Sequence, residues 1–242
     1  MNSYGPLARW YDSLTRDVPY DSFADFYEAE FASDGGEFRL LLDLCCGTGT
    51  LTCLMAERGY DMIAADESPD MLMQARENAG GLAAPPLFLC QSASELDLYG
   101  TVDAAICSLD GMDYIAPGEL PEVFRRLRLF VRPGGLVIFD IRTPESFRSL
   151  DGQIFVDETE DVLCLWRAEF TESDNTMRYG MDIFSRAGKN WARDTEEHVE
   201  YAHSPEFLKS ILEEAGFESV TFRSDCPQSG EGRLFITAKR GN

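Results

Sequence analysis

Apolar residues along the chain gather into short runs that suit buried strands, and the stretches between them carry helix signals. The first run is Leu40-Leu41-Leu42-Asp43-Leu44 and a second ends at Ala64-Ala65-Asp66. Pro86-Leu87-Phe88-Leu89-Cys90-Gln91, Val102-Asp103-Ala104-Ala105-Ile106-Cys107 and Leu136-Val137-Ile138-Phe139-Asp140-Ile141 follow. Strands apolar on both faces, alternating with helices, belong to a sheet covered on both sides. Ser68 reads as the N-cap of a helix with Pro69 in its first turn and an Ala79-Gly80-Gly81 stop, and Ser204-Pro205-Glu206 opens another. Near the amino end Phe26, Tyr27, Glu30 and Phe31 recur at helical spacing, after a segment from Trp10 to Ala24 that mixes aromatics and charges without a clean period.

Between the fifth run and Ser204 the period changes to two. Gln153-Ile154-Phe155-Val156, Val162 to Phe170, Thr176 to Phe184 and His198-Val199-Glu200-Tyr201 read as strands joined by polar turns such as Glu172-Ser173-Asp174-Asn175. About sixty residues is too long for a bare connection in a compact α/β unit. The expectation is therefore an antiparallel β insertion, residues 151–200, lying over the carboxyl edge of the main sheet as a lid. The core is expected over 38–150 and 201–242, with 1–37 a helical extension.

The first strand breaks into Cys45-Cys46-Gly47-Thr48-Gly49-Thr50, and the second ends in Asp66-Glu67. This is the layout of a nucleotide-binding βαβ unit. Gly47 and Gly49 can take backbone angles that a Cβ resists and let a ligand approach the chain closely. Asp66, at the end of the second strand, can accept hydrogen bonds from both hydroxyls of a ribose. A tight strand-to-helix turn uses glycine for the same dihedral reason, so the tripeptide alone leaves a purely structural turn open. A dinucleotide fingerprint wants a third glycine at position 52, where Thr52 stands, and this argues against an NAD-dependent enzyme.

The pattern Asp43-x-x-x-Gly47-x-Gly49 with the later Asp66 resembles motif I and the following acidic position of the class I S-adenosylmethionine-dependent methyltransferases, whose cofactor has ribose and adenine but no phosphate. The Arg132-Pro133-Gly134-Gly135 turn before the fifth strand also resembles that family. So does a closing hairpin, Ser219 to Phe222 and Leu234 to Ala238, after Gly216-Phe217. The likeness covers residues 38 to 141 and 203 to 240. It implies a Rossmann-like α/β fold with a seven-stranded, mostly parallel sheet and helices on both faces, S-adenosyl-L-methionine as cofactor, and the extension 1–37 folded over it. The implied cofactor site comprises Tyr11, Asp43, Cys46, Gly47, Thr48, Gly49, Asp66, Glu67, Met71, Ser92, Ala93 and Leu109. Tyr11 belongs to a Tyr-Asp-x-Leu phrase that in the family meets the methionine end, with Tyr20 behind it, and Met71 would meet adenine; all three would equally serve as core anchors. Ser92 stands where the family commonly has an Asp that reads the adenine amino group, so that contact would pass to backbone groups or to Ser94. The Tyr-Asp phrase is most similar to a bacterial subgroup of small methyltransferases of unassigned substrate.

The 242 residues suit one α/β domain with an insertion. Acids outnumber bases 43 to 21, a formal charge of -22, which disfavours a nucleic acid held through its phosphates. Arg125, Arg126 and Arg128 offer a local basic patch or simply a solvated helix face. No apolar run approaches the roughly 18 residues of a membrane span, and the amino end lacks the apolar core of a signal peptide, so a cytoplasmic protein is expected. Seven cysteines are an odd number, and Cys45, Cys46, Cys90 and Cys107 lie in or beside strands expected to be buried; they read as free thiols. With no Cys-x-x-Cys pair, no metal site is expected.

Methyl transfer asks for alignment and dryness more than for reactive side chains, and for a base only where the nucleophile sheds a proton. The loop after the fourth strand, Ser108 to Ile115, lies where open α/β sheets hold ligands. The catalytic candidates are Asp110 and Tyr114 in that loop, with Asp113 beside them, and His198 from the lid. His203, directly before a helix N-cap, is expected to position rather than react. Arg142 and Arg178 are candidates to grip a carboxylate or to form surface ion pairs. The reading is methyl transfer to a small-molecule acceptor, its attacked atom open; the alternatives are modification of tRNA or protein, and cofactor binding without transfer.

Overall fold

The computed structural model describes residues 4–228 and 232–241; the ends of the expected ranges, 1–3 and 242, lie outside them. The strands, in chain order, are β1 (Leu40–Leu44), β2 (Asp61–Asp66), β3 (Leu87–Cys90), β4 (Val102–Cys107), β5 (Val131–Arg142), β6 (Ile154–Glu158), β7 (Val162–Thr171), β8 (Thr176–Ala187), β9 (Asn190–Tyr201), β10 (Phe217–Arg223) and β11 (Arg233–Arg240). The helices are α1 (Tyr11–Leu14), α2 (Tyr20–Asp34), α3 (Thr50–Glu57), α4 (Pro69–Asn78), α5 (Leu120–Phe130), α6 (Pro144–Leu150) and α7 (Pro205–Glu214).

Seven strands make the main sheet in the order β10-β11-β5-β4-β1-β2-β3, parallel throughout except for β11, which runs antiparallel to both its neighbours. Successive side chains point to opposite faces, and both faces are apolar. Leu41, Ala104, Ile106, Leu136 and Ile138 meet Phe23, Tyr27 and Phe31 of α2 and Leu51 and Met55 of α3. On the other face Leu42, Leu44, Ala105, Val137 and Phe139 meet Phe124 and Leu127 of α5 and Leu208 and Leu212 of α7. The helices start where their caps are written: Ser68 Oγ accepts from the Met71 N–H at 3.3 Å and Ser204 Oγ from the Phe207 N–H at 3.2 Å. The chain leaves β1 for β2 on one side and returns to β4 on the other, which opens a crevice at the carboxyl ends of β1 and β4.

Strands β6 to β9 form a separate antiparallel sheet in chain order. Its apolar side, including Cys164, Met177, Tyr179 and Met181, packs on Phe147 of α6 and on Leu7, Trp10, Tyr11 and Leu14. Residues 4–37 therefore divide between two sheets, the first part packing under the small one and α2 against the main one.

The structure departs from the sequence expectations at four places. Helix α6 appears between the core and the insertion, its start fixed by Thr143 Oγ1 accepting from the Ser146 N–H at 3.2 Å. Strand β9 begins at Asn190, well before His198, since residues 190–197 pair with β8 through main-chain bonds although their side chains are mostly exposed. Arg132 to Gly135 lies within β5 as an irregularity between the pairings Val102–Val131 and Ala104–Leu136, and a Cβ at Gly135 would collide with the Asp103 carbonyl oxygen. Cys90 is exposed because β3 is the edge of the sheet.

Candidate functional site

At the end of β1 the chain turns sharply: Cys45, Gly47 and Gly49 take φ of 58°, 54° and 69°. Glycine relieves the cost at two of these positions. Gly49 has a second reason, since a Cβ there would stand 3.1 Å from Ala75 Cβ and 3.2 Å from the Phe88 ring. The Gly47 N–H donates to Asp66 Oδ2 and the Ser68 N–H to Asp66 Oδ1, each at 2.8 Å. Burial pushes the Asp66 carboxyl up and these two bonds pull it down, with the rise prevailing. Each of its oxygens keeps a lone pair for another donor. Thr52 turns its hydroxyl onto Asp43 Oδ2, with both residues buried. Burial pushes the Asp43 carboxyl up to about 7, against the pull of the Thr52 bond.

Asp12 ties the amino-terminal segment across this turn. Its Oδ1 accepts from Thr48 Oγ1 at 2.5 Å and Thr50 Oγ1 at 3.2 Å, and its Oδ2 from Asn78 Nδ2 at 2.8 Å. Between segment, turn and the 108–115 loop lies a cavity of about 170 Å³, or about 1170 Å³ when the space open to solvent at its mouth is counted. Of the residues singled out from sequence, Tyr11, Tyr20, Asp43, Cys46, Gly47, Thr48, Asp66, Glu67, Met71, Ser92, Ala93, Leu109 and Tyr114 line it, and so does Tyr4, which the sequence did not mark. Gly49, Asp110 and His198 are not among its walls.

The 108–115 loop is held by charge. Leu109 and Asp110 both sit in the left-handed region, at φ 56° and 67°, which costs non-glycine residues on the order of 1 to 3 kcal/mol each. Asp140 offsets that cost: its Oδ1 accepts from the Leu109 N–H at 2.9 Å and its Oδ2 from the Asp110 N–H at 3.2 Å. Arg233 Nη1 then bridges Asp140 Oδ2 and Asp110 Oδ1, the latter at 2.6 Å, and Arg142 Nε donates to Asp110 Oδ2 at 3.0 Å. Burial alone would raise the Asp110 carboxyl, but the two guanidiniums hold it below its ordinary value. Its oxygens are engaged in fixing the loop. His203 also supports the loop: its Nε2–H donates to the Ile115 carbonyl at 3.1 Å, and burial takes the ring down to about 4. Arg178 makes an outlying pair with Glu197 at 3.3 Å.

A hydrogen-bonded chain leads away from the cavity wall. Tyr4 O–H donates to the Tyr114 oxygen at 2.6 Å, the Tyr114 hydroxyl meets His198 Nδ1 at 3.1 Å, and His198 Nε2 meets Glu196 Oε2 at 2.8 Å. Because the Tyr114 oxygen accepts from Tyr4, its own proton goes to Nδ1, which leaves the ring proton on Nε2 facing Glu196. Burial raises the Tyr4 and Tyr114 phenols well above their usual range, so both stay protonated. Glu196 also accepts from the Tyr4 N–H at 3.0 Å and the Leu7 N–H at 2.6 Å. Glu196, His198 and Glu200 share one face of β9, and burial, aided by the charge of Asp110, pushes Glu200 up to about 8. The two glutamates escaped the sequence reading; the signal that marks them is their period-two spacing about His198.

Residues 41–135 match a family described as a methyltransferase domain. The putative methyltransferase YqeM of Bacillus subtilis (strain 168) is 27% identical over 246 residues, which span 98% of this chain and 97% of that protein. The crystal structure of a S-adenosylmethionine-dependent methyltransferase from Clostridium acetobutylicum ATCC 824 aligns over 100% of both chains at 28% identity with a TM-score of 0.86. The sugar N-methyltransferase KedS8 from Streptoalloteichus sp ATCC 53650 shares the fold at a TM-score of 0.82 and 22% identity, over 100% of this chain and 94% of that one. With likeness along the whole chain joined to the glycine turn, Asp66 and the seven-stranded sheet, the protein is a class I S-adenosylmethionine-dependent methyltransferase.

Proposed function

We propose that the protein methylates a small-molecule acceptor, which enters the cavity beneath the inserted sheet, residues 151–200, acting as a lid. One observation carries this reading: a single cavity has the Gly47 turn and Asp66 in one part of its wall and Tyr4 and Tyr114, the head of the chain to His198, in another. The fit to the cofactor is chemical. Asp66 keeps lone pairs for a ribose, Met71 offers an apolar side chain for adenine, and the described lining contains no Lys or Arg, as suits a ligand without phosphate. When bound, S-adenosylmethionine supplies a methyl carbon made electrophilic by its sulfonium, whose C–S bond breaks with the electron pair left on sulfur.

The chain's own residues do the rest. Asp66, Met71, Ser92 and Ala93 hold the adenosine part, and Tyr11, Tyr20 and Leu109 close over the reacting end and exclude water; alignment of this kind is worth about 7 to 11 kcal/mol. Tyr4, its proton turned toward Tyr114, presents an oxygen lone pair that can accept a proton from the nucleophile. That proton passes through Tyr4 and Tyr114 to His198 Nδ1, and Glu196 stabilises the imidazolium. General base help of this sort contributes about 10² to 10⁴-fold. Asp110, engaged by Arg233 and Arg142, positions the loop. The acid surplus, and the pairing of Arg125 and Arg126 with Glu122 at 2.5 and 2.9 Å, speak against a nucleic-acid acceptor. The structurally similar KedS8 is named for a sugar, a small acceptor.

Transfer of a labelled methyl group to metabolite extracts, to tRNA and to protein tests this reading. Label is expected in the small-molecule fraction, with His198→Ala lowering kcat by about 10² to 10⁴-fold and leaving S-adenosylhomocysteine affinity intact. Label confined to tRNA or protein would refute it.

A further inference from the structure

The chain through His198 leaves one buried acid beside it without a task. Glu200 is 5% exposed, and its Oε2 has no hydrogen-bond partner among the described residues. Native interiors seldom leave such an oxygen unpaired, and where they do, a ligand is a leading explanation. The charge of Glu200 is felt by Tyr4, Tyr11, Tyr114 and Tyr179. Three of those four tyrosines, Tyr4, Tyr11 and Tyr114, line the cavity, and Glu200 lies behind them rather than in its wall. Arg142 and Arg233 bond to Asp110, and Arg233 also to Asp140, while Asp113 beside them has a second unpartnered oxygen, Oδ1. A buried, unpartnered carboxyl that ionises above about pH 8, behind a cavity wall of tyrosines, offers an arriving ammonium ion both negative charge and aromatic surface.

We propose that the methyl acceptor is an amine, and that Glu200, buried and unpartnered behind the cavity wall of Tyr4, Tyr11 and Tyr114, is the counter-charge for its ammonium form. This rests on the small-molecule reading above. The bound ammonium gives one proton through Tyr4 and Tyr114 to His198 Nδ1, which frees the nitrogen lone pair. That pair forms the bond to the methyl carbon as the C–S bond breaks toward sulfur, and the nitrogen regains one positive charge facing Glu200. Total charge is unchanged: one positive charge has moved from sulfur to the imidazole, and the nitrogen is cationic before and after. The high-titrating carboxyl fits this role, since an arriving cation draws it into its ionised form.

The test uses the full chain saturated with S-adenosylhomocysteine at pH 8.5. Calorimetry compares choline with 3,3-dimethylbutan-1-ol, its uncharged isostere. Choline is expected to bind about tenfold tighter or better. Glu200→Gln should erase the preference and Glu200→Asp restore part of it, with S-adenosylhomocysteine affinity unchanged in both variants. Absence of choline binding, equal binding of the two probes, or a preference that survives Glu200→Gln overturns the assignment. A second readout uses a ¹³C-methyl donor and the chemical shift of the methyl carbon in the product. Methyl on nitrogen supports the proposal. Methyl on oxygen, sulfur or carbon of a small molecule overturns it and leaves the small-molecule reading standing, whereas label found only in tRNA or protein removes both.

Discussion

Replacing Thr52 by Val keeps the side-chain shape and removes one hydroxyl, the donor to Asp43 Oδ2, at a place where Thr52 is 0% and Asp43 3% exposed. The cost depends on the charge of Asp43, whose carboxyl titrates near 7. Above that pH the carboxylate needs the donor, and leaving it unpaired costs about 1 to 3 kcal/mol. Below it the protonated carboxyl is itself a donor and loses less. In a chain of 242 residues each kcal/mol moves Tm by about 2 to 4 °C, so Thr52→Val should melt roughly 2 to 12 °C below the parent at pH 8.5, and by clearly less at pH 6. The folded value lies above the unfolded one of about 3.9, so the folded protein binds the extra proton between the two. The parent therefore loses stability from this group as pH rises from about 4 to about 7, and the variant continues to lose it further, because removing the donor raises Asp43 again. Circular dichroism melts at the two pH values decide the matter. An equal loss at both, or none at pH 8.5, would refute the claim that Thr52 holds an ionised Asp43.

Asp66→Ala should weaken S-adenosylhomocysteine binding by about 1 to 3 kcal/mol, roughly 5- to 150-fold by calorimetry, and an unchanged affinity would mean that the ribose is read elsewhere. Asp12→Ala removes the acceptor of three side-chain donors, including the buried Thr48 hydroxyl. Limited proteolysis within residues 4–19 should quicken and cofactor affinity fall by about 1 kcal/mol or more; if neither moves, the segment is held by its apolar contacts alone.

How much the sequence disclosed depended on where each signal originates. Strands β1, β2, β4 and β5 were legible because burial on both faces leaves an apolar run that needs no knowledge of neighbours. Helices α4 and α7 were legible because Ser68 and Ser204 act on amides three residues away. The first half of β9 was not, since its order comes from the ladder to β8 and its exposed side chains keep no period. Asp110 at a strand end reads as a free base, but Arg233, 123 positions later, claims it. Tyr4 and Glu196 are 192 positions apart, and only the fold makes them partners. Within the site, what is local to one turn could be read, and what is assembled from four distant segments could not.

Glu196 accepts hydrogen bonds from the main chain of Tyr4 and Leu7 and also faces His198. Any movement of residues 4–7 that admits a molecule must break these two hydrogen bonds and carry Tyr4 away from Tyr114. The opened protein then lacks the Tyr4–Tyr114 link of the proposed proton path, and the Glu196 carboxylate facing His198 has lost its anchors. On the proposed mechanism, closing the cavity and arming the base are one cooperative event, so the reactive sulfonium meets a working base only after bulk water has been shut out.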